Sequence, residues 1–301
     1  MAALLPRARD EPGEVGLRHW SVPSTLPLLD GRTLPALGFG LYKVPADETP
    51  AVVAAALEAG YALVDGAEFY GNEREVGEAI RRAVDEGLDR SSLTVTSKFW
   101  GEESQSADAV RTSFAASEAA LGSPIDVYMI HWPRPARGQY VDVWRELVAL
   151  QGEGRIRSIG VSNFTEEHIR RLIDETGVAP VVNQVESHPW LPQHELRAFH
   201  AEHSIVTQAW SPLGRSRVLH DPTIGRIAAA HGVSPAQAII RWHLQLGGAC
   251  IPKSTHPHRL RENLDVEGFA LSGFTLSDDD MAAIAALETG ERTGTHPDDR
   301  Q

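Results

Sequence analysis

Along this 301-residue chain, polar and titratable side chains stand at the ends of a series of short apolar runs. Asp65 follows Ala62–Val64, Lys98 follows Leu93–Thr96, and His131 follows Ile125–Ile130. Ser162-Asn163 follow Ile156–Val161, Gln184 and Glu186 end Val181–Val185, Trp210-Ser211 follow Ile205–Ala209, and Lys253-Ser254 follow Ala249–Ile251. Tyr70 stands five residues beyond Asp65. A phenol, an amine, a carboxylate and an imidazole brought together can deliver a proton to an oxygen that is gaining negative charge. A phenol of ordinary pKa, about 10, holds its proton at neutral pH. An adjacent ammonium favours the phenolate and is expected to lower that pKa toward the useful range. In this reading Lys98 tunes Tyr70, Asp65 keeps the buried amine charged and oriented, and His131 orients a carbonyl oxygen. Each group taken alone has a structural alternative: an ion pair, a satisfied core histidine, a packing tyrosine.

Only a scaffold whose strand ends converge can gather these side chains. The apolar runs alternate with amphipathic stretches at Thr49–Ala59, Glu73–Glu86, Ala107–Leu121, Val141–Gly152, Glu166–Glu175 and His194–His203, and Gly38–Leu41 supplies a weaker first strand. Strand and helix in strict alternation imply a parallel sheet, and eight such units predict an α/β fold closed as a single (β/α)8 TIM barrel, whose strand C-termini share one mouth. An open dinucleotide-binding sheet would carry G-x-G-x-x-G after its first strand; Gly38-Phe39-Gly40-Leu41-Tyr42-Lys43 has lysine at the third glycine. Ser234-Pro235-Ala236-Gln237, Thr165-Glu166-Glu167 and Ser277 with its three aspartates read as helix starts. Leu28 to Leu34, around Asp30-Gly31, reads as a β-hairpin closing the barrel bottom. Residues 1–25 carry charges of both signs without the apolar core of a secretory signal and are expected to form a flexible extension, with the barrel over 26–301.

Composition narrows the function. The 28 basic and 41 acidic residues leave a net charge of −13, which disfavours nucleic acid and anionic membranes as partners. The apolar runs fall far short of the ~20 residues needed to span a bilayer. A single cysteine, Cys250, forms no internal disulfide and reads as a buried small hydrophobe. A cytoplasmic location and a monomer are the expectations. No metal site is expected, since His194-Glu195 lacks the second histidine of H-E-x-x-H. Against the acidic background, Lys253, Ser254, Thr255, Arg259, Glu262 and Asn263 fall within eleven residues. Two cations, a hydroxyl and a helix start suit a phosphate monoester such as that on the adenosine ribose of NADP; a solvated basic surface is the alternative.

Five segments then resemble the active-site motifs of the aldo-keto reductases, in the family's order: Asp65-Gly66-Ala67-Glu68-Phe69-Tyr70-Gly71-Asn72-Glu73, Ser97-Lys98-Phe99-Trp100, Ile130-His131-Trp132-Pro133, Arg157-Ser158-Ile159-Gly160-Val161-Ser162-Asn163-Phe164 and Ile251-Pro252-Lys253-Ser254. The tail Glu291–Pro297 resembles the bacterial branch that includes 2,5-diketo-gluconate reductases. The resemblance implies an NADPH-dependent reduction of a small-molecule aldehyde or ketone, with Asp65, Tyr70, Lys98 and His131 at the reacting centre. It implies NADPH/NADP+ contacts from Gly40, Leu41, Ser162, Asn163, Gln184, Trp210, Ser211 and Leu213. Lys253, Ser254, Thr255 and Arg259 are implied for the phosphate, and Glu262 and Asn263 for adenine. Tyr42, Trp100 and Trp132, with Trp190 beside them, would form an aromatic substrate wall. Two positions depart from the family: Gly66 stands where threonine or serine is usual, and Glu68 where the residue is commonly small or apolar. A modest loss of cofactor affinity is expected from them. Two other readings compete. A non-catalytic NADP(H)-binding sensor or auxiliary subunit would keep the fold, and a glycosidase would pair Asp65 with Glu186 but leave Lys98, His131 and the basic cluster without roles.

Overall fold

The computed structural model describes residues 25–265 and 274–300. The expected extension therefore lies outside the described residues, apart from Thr25. There β1 (Thr25–Pro27) begins and pairs antiparallel with β2 (Thr33–Pro35), Leu26 opposite Leu34. Gly31 makes the turn at φ +82°, a left-handed conformation that glycine adopts without a Cβ penalty. The hairpin buries Leu26, Leu28 and Leu34 in the main core. Asp30 accepts from Ser158 Oγ at 2.6 Å, and the Arg32 guanidinium donates to the Arg157 carbonyl at 2.7 Å. These bonds seat it at the N-terminal ends of the barrel strands.

Eight parallel strands follow: β3 (Phe39–Gly40), β4 (Leu63–Asp65), β5 (Thr94–Phe99), β6 (Val127–Ile130), β7 (Ser158–Ser162), β8 (Val182–Glu186), β9 (Val206–Trp210) and β10 (Ala249–Cys250). Each pairs with the next in sequence. The ring closes where Cys250 N–H donates to Ala36 O (2.9 Å) and Gly38 N–H to Cys250 O (3.0 Å). Around it lie α1 (Thr49–Ala59), α2 (Glu73–Asp85), α3 (Ala107–Leu121), α4 (Tyr140–Gly152), α5 (Glu166–Thr176), α6 (His194–Glu202), α8 (Pro235–Gln245) and α9 (Pro257–Leu264). The anticipated caps form: Thr165 accepts from His168 N–H, Ser234 from Gln237 N–H and Ser277 from Asp280 N–H, each as a reciprocal capping box.

Two elements stand apart from the alternation. α7 (Pro222–His231), which the sequence reading did not anticipate, and α10 (Asp278–Ala285) pack with α8 around a second core containing Trp242, Phe274, Leu276 and Ile284. His231 and Asp280 join α7 to α10 at 2.9 Å. No helix among the described residues is long and apolar enough to cross a membrane.

Most strands run further toward the mouth than their apolar runs. The clearest case is β5, expected to end at Thr96 and extending to Phe99. The cause is the two-residue side-chain period of a strand. Thr96 and Lys98 share the inner face and both reach Asp65, whereas Ser97 between them turns outward to Glu73 of α2. Polar residues that read as loop are strand residues lining the barrel.

Candidate active site

Lys98 and Asp65 are buried, at 0% and 1% exposure, so each charge must be answered by the protein. Lys98 Nζ lies 2.8 and 2.9 Å from the two Asp65 oxygens, 2.7 Å from Gly66 O and 3.5 Å from Tyr70 Oη. Asp65 Oδ1 also accepts from Thr96 Oγ1 (2.8 Å) and Gln184 Nε2 (2.7 Å). Burial lowers the Lys98 pKa, and Asp65 opposes that shift.

Tyr70 closes the short 3-10 turn Glu68–Tyr70 that follows β4, with its ring centroid 5.2 Å from Lys98 Nζ. The phenol pKa moves opposite to the sequence expectation. Burial pushes it well above the ordinary value, and the charge of Asp65 adds to the rise. The ammonium that was to lower it is paired with a carboxylate at near contact, so its field at the phenol is largely cancelled. His131 stands with its ring 5.8 Å from that of Tyr70 and has no partner at Nδ1. Burial, then Lys98, Arg300 and Arg134, hold the imidazole well below the ordinary histidine range, and it is neutral.

These groups meet at a cavity of about 470 Å³. Of the expected residues, Gly40, Tyr42, Asp65, Tyr70, Trp100, His131, Trp132, Ser162, Asn163, Gln184, Trp210, Ser211, Leu213 and Lys253 line it. Lys98 lies behind Asp65 and Tyr70. Leu41 is fully buried, its N–H on Asp65 O, and it does not line the cavity. Ser254, Thr255, Arg259, Glu262 and Asn263 stand off the cavity, on the segment after β10 and on α9. Lys253 and Arg259 make no ion pair with a described residue. Trp190 is not in the wall; its ring packs on Arg217 and His188.

The amides are already committed. Gln184 Nε2 donates to Asp65 and to Gln208 Oε1, and Asn163 Nδ2 donates to His131 O and Ser162 Oγ. Asn163 Oδ1 accepts from Trp210 Nε1 at 2.8 Å, fixing the indole. What this cluster still offers a ligand is acceptor oxygens.

Several cavity residues were not found from sequence. Phe69 stacks on Trp100 at 3.9 Å between centroids. Glu68, expected to place its charge near Tyr70, accepts instead from Trp100 N–H (3.0 Å) and Ser113 Oγ (2.8 Å), and so fixes the loop after β5. Glu186 is not free to act as a paired carboxylate. Its Oε1 accepts from Thr293 N–H (2.6 Å), Thr293 Oγ1 (2.6 Å) and Gly294 N–H (3.1 Å). Burial works to raise its pKa, but hydrogen bonds from His188 and Thr293 outweigh that and hold the carboxyl below its ordinary value. The tail thus tied brings Gly294, Thr295 and Arg300 to the mouth. Nothing in the period or composition of residues 286–300 signals that return.

A family model described as Aldo/keto reductase family matches residues 36–289. An aldo-keto reductase of Mycobacterium sp. (strain KMS) is 49% identical over 271 residues, 90% of this chain and 95% of the relative. The 2,5-diketo-D-gluconic acid reductase B of Corynebacterium sp. (strain SHS752001) is 47% identical over 276 residues, 91% and 96% of the two chains. The crystal structure of a Gox0644 variant in complex with NADPH superposes with a TM-score of 0.84 at 46% identity, covering 91% of this chain and 97% of that one. On the matched motifs, the closed barrel and these relatives, the chain belongs to the aldo/keto reductase family.

Proposed function

We propose that the protein is an NADPH-dependent carbonyl reductase in which Tyr70 protonates the oxygen of an aldehyde or ketone. The observation that carries this reading is the buried Asp65–Lys98 pair ending 3.5 Å from the Tyr70 oxygen at the wall of the cavity. Because its pKa is raised, Tyr70 holds its proton throughout the neutral range and is poised as a donor. Lys98 fixes the phenol oxygen and, as negative charge develops there, offers it an N–H donor. Neutral His131 donates a single N–H to the substrate oxygen, the tautomer with its proton on Nε2 sparing a buried orphan donor at Nδ1. Bound NADPH supplies the hydride to the carbonyl carbon.

The residues present fit that cofactor. The indole of Trp210, held by Asn163, offers a face for the nicotinamide, and the Gln184 side-chain oxygen, with the remaining lone pairs of Ser162 Oγ and Asn163 Oδ1, suits its carboxamide N–H groups. Ser211, Arg215 and Ser216 adopt positive φ with Gly214, and the loop through Leu213 lines the cavity together with Gly40. Beyond it, Lys253, Ser254, Thr255 and Arg259 suit the ribose phosphate at the start of α9, with Glu262 and Asn263 one turn on for adenine. The similar structure in complex with NADPH supports the choice of cofactor. Steady-state assays with NADPH and NADH against small aldehydes and ketones test it. NADPH is expected to be preferred, and Arg259→Met to raise the Kd for NADPH about tenfold with little effect on NADH. Equal use of the two cofactors would contradict the reading of Lys253 and Arg259.

A further inference from the structure

We propose that Gln208 is a positioning residue: it fixes which way the Gln184 amide faces, and so sets whether the cavity accepts the carboxamide N–H groups of a nicotinamide. This rests on the reductase reading and assigns a role to a residue outside the cavity lining.

Gln184 of β8 and Gln208 of β9 stand opposite each other in the sheet register. Side chains alternate along a strand. Thr207 bonds outward to His200 of α6, and Trp210 reaches the cavity, so Gln208 points into the barrel one layer below Trp210. There it is 1% exposed. Three side chains then form a chain across the interior. Gln184 Nε2 donates to Asp65 Oδ1 at 2.7 Å and to Gln208 Oε1 at 2.7 Å.

Asp65 sets the direction of this chain. As the carboxylate partner of Lys98 it only accepts, so Gln184 must turn its nitrogen toward it. The second hydrogen on that nitrogen meets an acceptor only because Gln208 presents its oxygen. With both hydrogens taken, Gln184 offers the cavity Oε1, which has no hydrogen-bond partner among the described residues. Gln208 holds this place at a cost. Its own Nε2 is buried without a hydrogen-bond partner, and a buried orphan donor is destabilising. Methionine fills a similar volume without that defect, so what the glutamine contributes is its acceptor oxygen. Without that oxygen the second N–H of Gln184 is left to turn to the cavity, where it opposes an amide N–H and favours a carbonyl.

The test compares NADP+ with its 3-acetylpyridine analogue, in which a methyl group replaces the amide nitrogen of the carboxamide. Kd values come from quenching of tryptophan fluorescence in the wild type and in Gln208→Met, and thermal unfolding is followed for both. The wild type is expected to bind NADP+ about tenfold more tightly than the analogue. Gln208→Met should bring the two within about twofold of each other, NADP+ weakening and the analogue tightening, with a Tm at or above the wild-type value. A tenfold preference that survives in Gln208→Met overturns the inference and leaves the cofactor assignment standing. A preference lost only together with a lowered Tm overturns it as well, because general loosening then explains both. No preference in the wild type would mean that Gln184 does not read the carboxamide, and that part of the cofactor assignment falls together with the inference.

Discussion

Lys98 can remain an ammonium in the barrel interior only because two carboxylate oxygens, a carbonyl and a phenol surround it. Removing one partner of such a pair costs more than the pair contributes, on the order of 3–5 kcal/mol. Asp65→Asn is therefore expected to lower unfolding stability by about 3 kcal/mol, measured by urea denaturation, as well as to slow turnover. A loss below about 1 kcal/mol would show that Asp65 does not compensate a buried charge. The proposed donor and its neighbour set the pH behaviour. Tyr70 is shifted up and His131 down, so neither changes protonation between about pH 6.5 and 9. With a neutral aldehyde and saturating NADPH, log kcat/KM should be level across that window; a break near pH 8 would show an early-titrating phenol. As candidates, Asp65, Lys98 and His131 were legible because each stands where an apolar run gives way to polarity, and Tyr70 through its place five residues beyond Asp65. The direction of the Tyr70 shift was not, because it depends on burial and on the Asp65 charge that offsets Lys98. Gly66 likewise holds more than a missing hydroxyl. A Cβ there would lie 3.2 Å from Thr96 O, so Gly66→Thr must displace β5 backbone beside Lys98 as it adds its hydroxyl.

Helices and strands divide differently in how much of them the sequence showed. Helices α1 and α3 lie over the residues their apolar period marks, and serine, threonine and proline at their starts explain why α5, α8 and α10 begin where they do. Strand ends at the mouth were harder to read, since side chains there face a polar interior rather than a core. The C-terminal tail was illegible, because what orders it is a distant carboxylate, Glu186, rather than any local pattern. Glu186→Gln keeps one acceptor oxygen but loses the charge that three donors share, a loss of about 1–3 kcal/mol for that contact. Hydrogen exchange at Thr293 and Gly294 should speed up by at least about tenfold while β5 and β6 keep their protection. Unchanged exchange in the tail would mean that Glu186 does not hold it.

Across the whole molecule, stability is tied to histidines kept neutral inside the fold. Burial drives His200 and His243 down to about 3. His200 lies between Asn183 Nδ2 (3.0 Å) and Thr207 Oγ1 (2.8 Å), and the amide N–H needs an unprotonated ring nitrogen to accept it. An unfolded chain binds protons at these sites from about pH 6.5 downward while the fold does not. Stability present above that pH is thus lost as pH falls toward 3, by about 1.4 kcal/mol per pH unit for each histidine. Urea midpoints at pH 7 and pH 5 should show this drop, and His200→Gln should reduce its slope; a midpoint independent of pH would contradict it. The same barrel holds the acid–base groups and the expected phosphate-binding cations on separate segments, so proton transfer and NADPH binding should be separable. Tyr70→Phe tests this most directly. It is expected to cut NADPH-dependent carbonyl reduction by about a thousandfold while leaving the NADPH Kd within about twofold. Turnover near the wild-type rate would contradict Tyr70 as the proton donor, and an equal loss of cofactor binding would assign it to the structure of the site instead.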